Sequence, residues 1–153
     1  MPLVSRFLIR TALLQVALGT TIGGLMLADK GLGVAPWLWA LRPGHIQILL
    51  FGWMVQLACG VAVWILPRLS AAGDRGNLGL VWVCYGALNA GVALAALQSP
   101  LASLLGGGLD WMLPLAALLY IVAVASVVAH LWRRVLPFRN LPRPPAPGGT
   151  PAP

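Results

Sequence analysis

Residues 45–66 read His45-Ile46-Gln47-Ile48-Leu49-Leu50-Phe51-Gly52-Trp53-Met54-Val55-Gln56-Leu57-Ala58-Cys59-Gly60-Val61-Ala62-Val63-Trp64-Ile65-Leu66. These 22 residues contain no Asp, Glu, Lys or Arg. Pro43 and Gly44 precede them, and Pro67 and Arg68 follow. A run of about 20 apolar residues matches the hydrocarbon thickness of a bilayer. In hydrocarbon, a helix is the structure that satisfies its backbone polar groups within one segment. The stretch therefore predicts a spanning helix, and the fold class depends on how many others accompany it.

Working outward, three more apolar runs appear. The first covers about 7–27, with Arg6 and Arg10 at its start. Basic residues before an apolar run also open signal peptides. No convincing small-residue cleavage site follows, so the run is read as a retained helix. It carries Gly19-Thr20-Thr21-Ile22-Gly23, a spacing that permits close helix contact. A third span is expected over 78–97, ended by Gln98-Ser99-Pro100. A fourth is expected over 110–132, with Asp110 as its N-cap. Between the first two spans, Trp37 and Trp39 sit in a Gly- and Pro-containing connection. Indoles favour the membrane–water interface, so this connection is expected to lie along it as a short helix or turn.

The reading is an all-α, integral-membrane four-helix bundle over residues 1–135, followed by a disordered, Pro-rich cytoplasmic tail over 136–153. Composition agrees. The 153 residues are 59% hydrophobic and 8% charged, against roughly a quarter charged in soluble domains. Four spans use nearly the whole length, which leaves no room for a separate soluble catalytic domain.

The net charge of +7 is a sidedness. Alternating spans put Arg6, Arg10, Arg68, Arg75, Arg133, Arg134, Arg139 and Arg143 on the N-terminal side. The far side receives Lys30 and Arg42 against Asp29 and Asp110. The positive-inside rule then places both termini in the cytoplasm of a cell inner membrane. The positive charge is expected to meet anionic lipid headgroups, not nucleic acid.

Few groups are available for chemistry. There is no HExxH, P-loop, GxSxG or paired CxxC motif. Cys59 and Cys84 lie inside apolar runs and read as structural thiols. The polar candidates are Gln15, His45, Gln47, Gln56, Tyr85, Asn89, Tyr120 and His130. Gln15, Gln56 and Asn89 are most simply interhelical hydrogen-bond partners, and a quinone headgroup is an alternative user of them. His130, beside Trp132 and Arg133, reads as interfacial. It lies a membrane thickness away from His45.

His45 opens the second span. Steps of three and four from it reach Leu49, Gly52, Gln56, Cys59 and Val63, which share one face of an α-helix. Imidazole is a common ligand of heme iron, and Gly52 would let a flat cofactor approach the backbone. The alternative is a histidine that hydrogen-bonds headgroups or loop carbonyls.

The segment from Pro43-Gly44-His45 through Phe51, Gly60 and Trp64-Ile65-Leu66-Pro67 resembles helix two of subunit I in the heme-copper oxidase and nitric oxide reductase superfamily. The resemblance covers the first two helices; the other two match only as generic spans. It implies that His45 is an axial ligand of a low-spin heme b near the outer face, in a small respiratory-chain protein of electron transfer. That family has about twelve helices, and its other metal ligands lie on helices this chain lacks. The resemblance therefore does not imply a complete oxygen reductase. A second ligand is sought in Met26 or Met112, in the His45 of a second copy, or in a partner subunit. The competing expectation is a non-catalytic membrane scaffold or assembly subunit, with other membrane subunits or a homo-oligomer as partners.

Overall fold

A computed structural model describes residues 1–67, 75–132, 134 and 135. The loop at 68–74, which includes Arg68, lies outside the described residues. So do Arg133, Arg139, Arg143 and the tail at 136–153.

The described chain is helical, and four helical stretches are long and apolar enough to cross a membrane. Helix α1 covers Leu3–Leu32. At about 45 Å it exceeds a hydrocarbon layer of about 30 Å, so it overruns the expected 7–27 at both ends. Gly33 closes it with φ +65° and an N–H bond to the Asp29 carbonyl.

The second stretch is composite. A 3-10 turn over Pro36–Leu41 contains Trp37 and Trp39, as the indoles suggested. Helix α2 follows over Arg42–Gln47, then a π-helical segment over Ile48–Val55, then helix α3 over Gln56–Ile65. The third stretch, α4, spans Leu78–Leu105. The fourth, α5, spans Met112–Trp132.

Two helix ends depart from the sequence reading. Pro100 does not end α4, which continues to Leu105 and closes at Gly106 with φ +80°. Proline cannot donate to the carbonyl four residues back, here that of Ala96. Gly44 approaches this carbonyl so closely that a Cβ at 44 would lie 2.7 Å from the Ala96 oxygen. A Cα–H contact from Gly44 thus faces the acceptor that Pro100 leaves open. Asp110 offers Leu113 its backbone carbonyl at 3.3 Å, and its carboxylate caps nothing among the described residues.

The spans run up, down, up and down. Ser5 donates to the Gly60 carbonyl at one end, and His45 meets Gly19 at the other. Helix α4 packs along α5, while α1 packs along α3 and the π segment. Lipid is as apolar as leucine, so helices associate through close packing and polar contacts, not through water exclusion. Leu14, Leu27 and Ile65 accordingly face outward at 68–72% exposure. The apolar core gathers Val4, Leu8, Val63, Val81, Leu88 and Val127 towards the N-terminal side.

Arg134 closes that end. Although fully buried, its guanidinium donates to the carbonyls of Val63 (3.2 Å), Leu66 (2.5 Å) and Pro67 (3.0 Å). These are the last carbonyls of the second span, where the helix dipole is negative. Burial, then the neighbouring Arg75 charge, pull the Arg134 ionisation below the usual guanidinium range. Arg75 reaches the Val63 and Trp64 carbonyls as well.

Candidate cofactor site at His45

The π segment decides where His45 points. A π turn holds more residues than an α turn, so the inward face advances every four residues. From Gly44 onwards the buried positions of the second span are Gly44, Ile48, Gly52, Gln56, Gly60 and Val63. The face expected from α spacing, through His45, Leu49 and Cys59, is only half-buried at those three positions. His45 therefore lies on the flank of the bundle, and Gly52 faces α1.

Glycine spacing explains the closeness of α1 to this span. A Cβ at Gly60 would lie 2.9 Å from Leu8 Cβ. A Cβ at Gly52 would overlap Gln15 Oε1, so the Gln15 carboxamide covers the backbone there. On α1, Gly19 receives the Leu49 side chain, and a Cβ at Gly23 would lie 2.6 Å from His45 Cε1. The Gly19/Gly23 spacing thus serves contact within the chain.

His45 Nδ1 lies 2.8 Å from the Gly19 carbonyl oxygen. A carbonyl only accepts, so Nδ1 carries the proton and Nε2 of the neutral ring keeps its lone pair. Among the described residues Nε2 has no hydrogen-bond partner. Beside the ring is a groove of about 350 Å³ lined by His45, Ile46, Leu49, Leu50, Trp53 and Met54. All six come from the second span, so the groove opens sideways towards lipid.

No protein-family model, curated protein or solved structure matches this chain. An imidazole nitrogen with its partner nitrogen fixed by a carbonyl is the arrangement that orients histidine ligands at metals. An unpartnered imidazole nitrogen is a donor of the kind that ligates heme iron. Met26 and Met112, at 7% and 6% exposure, are buried and do not line the groove. The described residues hold no cluster of three or more His, Cys, Asp or Glu suited to a metal ion.

The other polar candidates form hydrogen bonds within the bundle. Gln15 Nε2 donates to Asn89 Oδ1 at 2.8 Å, and Asn89 Nδ2 to the Tyr85 carbonyl. Gln56 Nε2 donates to the Leu8 carbonyl at 3.2 Å, and Tyr85 OH meets Thr11. The interhelical role expected for Gln15, Gln56 and Asn89 is what they perform. Gln15 Oε1 and Gln56 Oε1 stay buried without a donor. Tyr120 stacks on Phe51 at 4.0 Å and donates to Gln47 Oε1.

His130 is more than an interfacial ring. Its Nδ1 meets the Asn77 carbonyl at 3.0 Å and its Nε2 meets Arg134 Nη1 at 3.2 Å. With both nitrogens engaged, it has no lone pair for a metal.

Sequence reasoning missed Asp29. Its carboxylate accepts from the Ala35 N–H at 2.6 Å and from Trp39 Nε1 at 3.0 Å. It pins the connection that leads into His45. Its one readable signal was an acid followed by two indoles within ten residues.

Proposed function

We propose that this chain is a small multi-pass protein of the cell inner membrane that holds a b-type heme through His45 and passes electrons. Both termini face the cytoplasm in this reading, with His45 towards the outer face. The observation that carries the reading is the Nδ1–Gly19 hydrogen bond, which leaves Nε2 without a hydrogen-bond partner among the described residues, in a ring that borders an apolar groove. The charge asymmetry supports the orientation, with eight of ten cationic residues assigned to one side.

Each residue has a limited task. The Gly19 carbonyl fixes the tautomer and the ring orientation. Gly23 gives the ring room against α1. Leu49, Leu50 and Trp53 keep water from the groove. A bound heme would supply one-electron redox chemistry. Any further ligand to a bound heme would come from outside the groove, from a second copy or a partner subunit.

The test is a reduced-minus-oxidised visible spectrum of protein purified from heme-replete cells. Wild type should give Soret and α bands, and His45→Ala should lose them at equal yield. Absence of bands in well-folded wild type removes heme from the proposal and leaves the non-catalytic membrane scaffold.

A further inference from the structure

Cys59 and Cys84 take no part in the His45 site. They sit on α3 and α4, and both are free. Cys84 is 1% exposed and belongs to the apolar core, while Cys59 is half-buried and packs against that core. Together they border one small space of about 10 Å³ whose other walls are aliphatic. That volume is at the lower limit for one water, and water needs two to four polar partners. The two cysteines therefore share this space with no polar competitor among the residues that line it.

Their depth selects the chemistry. Each cysteine lies six residues from its helix end, Ile65 for Cys59 and Leu78 for Cys84, or about 9 Å inwards. A metal would require thiolates, and their charge is costly in hydrocarbon. A disulfide is neutral. The oxidant must dissolve in lipid and accept two electrons with two protons, which describes a quinone. Cys59, the more accessible thiol, is the point of contact.

We infer that Cys59 and Cys84 are a redox-active dithiol that a membrane quinone closes into a disulfide between the second and third spans. Two S–H bonds break and one S–S bond forms. The two electrons reduce the quinone to the quinol, and its oxygens take up the two thiol protons. This step is independent of any ligand on His45.

The full chain in phospholipid vesicles is treated with decylubiquinone, with decylubiquinol, or with oxidised glutathione. It is then denatured, alkylated with N-ethylmaleimide and weighed intact. The quinol sample should take two maleimides. The quinone sample should take none, be lighter by two hydrogens, and yield a peptide pair cross-linked at 59 and 84. Cys59→Ala and Cys84→Ala should each take one maleimide under every condition. Two maleimides after quinone, cross-links between chains, or protection of a lone cysteine in either variant would overturn the inference. Equal closure by oxidised glutathione would overturn the choice of quinone.

Discussion

His45 donates from Nδ1 to the Gly19 carbonyl oxygen, 2.8 Å away on the neighbouring helix. The bond joins the mouth of the second span to the middle of α1, 26 residues earlier. It also fixes which nitrogen of the ring is free. Four predictions probe this bond and the contacts that hold the bundle around it.

Gly23→Ala should destabilise the protein by about 1–3 kcal/mol, the usual cost of overpacking. The added methyl would sit 2.6 Å from His45 Cε1. In a His45→Ala background the same change should cost almost nothing. Unfolding of the four proteins in mixed detergent forms a double-mutant cycle. Equal costs in both backgrounds would refute the ring contact.

Gly52→Ala and Gly86→Ala should have opposite signs. At Gly52 the methyl meets the Gln15 carboxamide, and the Gln15–Asn89 bond must give way. At Gly86 nothing lies within 4 Å of the added carbon. There only helix propensity changes, worth about 0.5–1 kcal/mol in favour of alanine. Thermal midpoints should fall for the first variant and rise for the second.

Arg134→Met should cost about 3 kcal/mol or more, because it strips charged donors from the carbonyls at 63, 66 and 67. Arg134→Lys should recover only part, since one ammonium lacks the guanidinium fork. Loss of helicity on titration with sodium dodecyl sulfate reports both.

Asp29→Ala should release the turn over Pro36–Leu41, which Asp29 holds through Ala35 and Trp39. Trypsin applied to the side bearing Lys30 and Arg42 should then cut after Lys30 several-fold faster than in wild type, the Arg42–Pro43 bond being resistant to it. Asp29→Asn, which keeps one acceptor, should fall between the two.

The number of spans was legible because charges are few and cluster between apolar runs. Gln15 with Asn89 was legible too, since an amide in hydrocarbon must find another polar group. The face of the second span was legible only in part: Gly52, Gln56 and Val63 are buried on it, while His45, Leu49 and Cys59 are half-buried. Counting in threes and fours assumes α geometry, and the Ile48–Val55 segment is wider. The glycines at 44, 52 and 60, spaced by eight, follow the true inward line. Arg134 read as a marker of sidedness, and nothing local to residue 134 points to carbonyls some seventy positions earlier. Pro100 read as a stop, but the partner that makes it tolerable is Gly44, far away in sequence.

The Arg134 closure also sets an order in time. A chain made from its N-terminus completes the second span long before residue 134 exists. Until then the Leu66 and Pro67 carbonyls rely on water at the membrane edge, and Val63 has only Arg75. The bond from Arg134 to Val63 bridges 71 residues, so one of the last described side chains to be synthesised seals the first helical pair. A bundle cut short before Arg134 would have all four spans and still have an unsealed end.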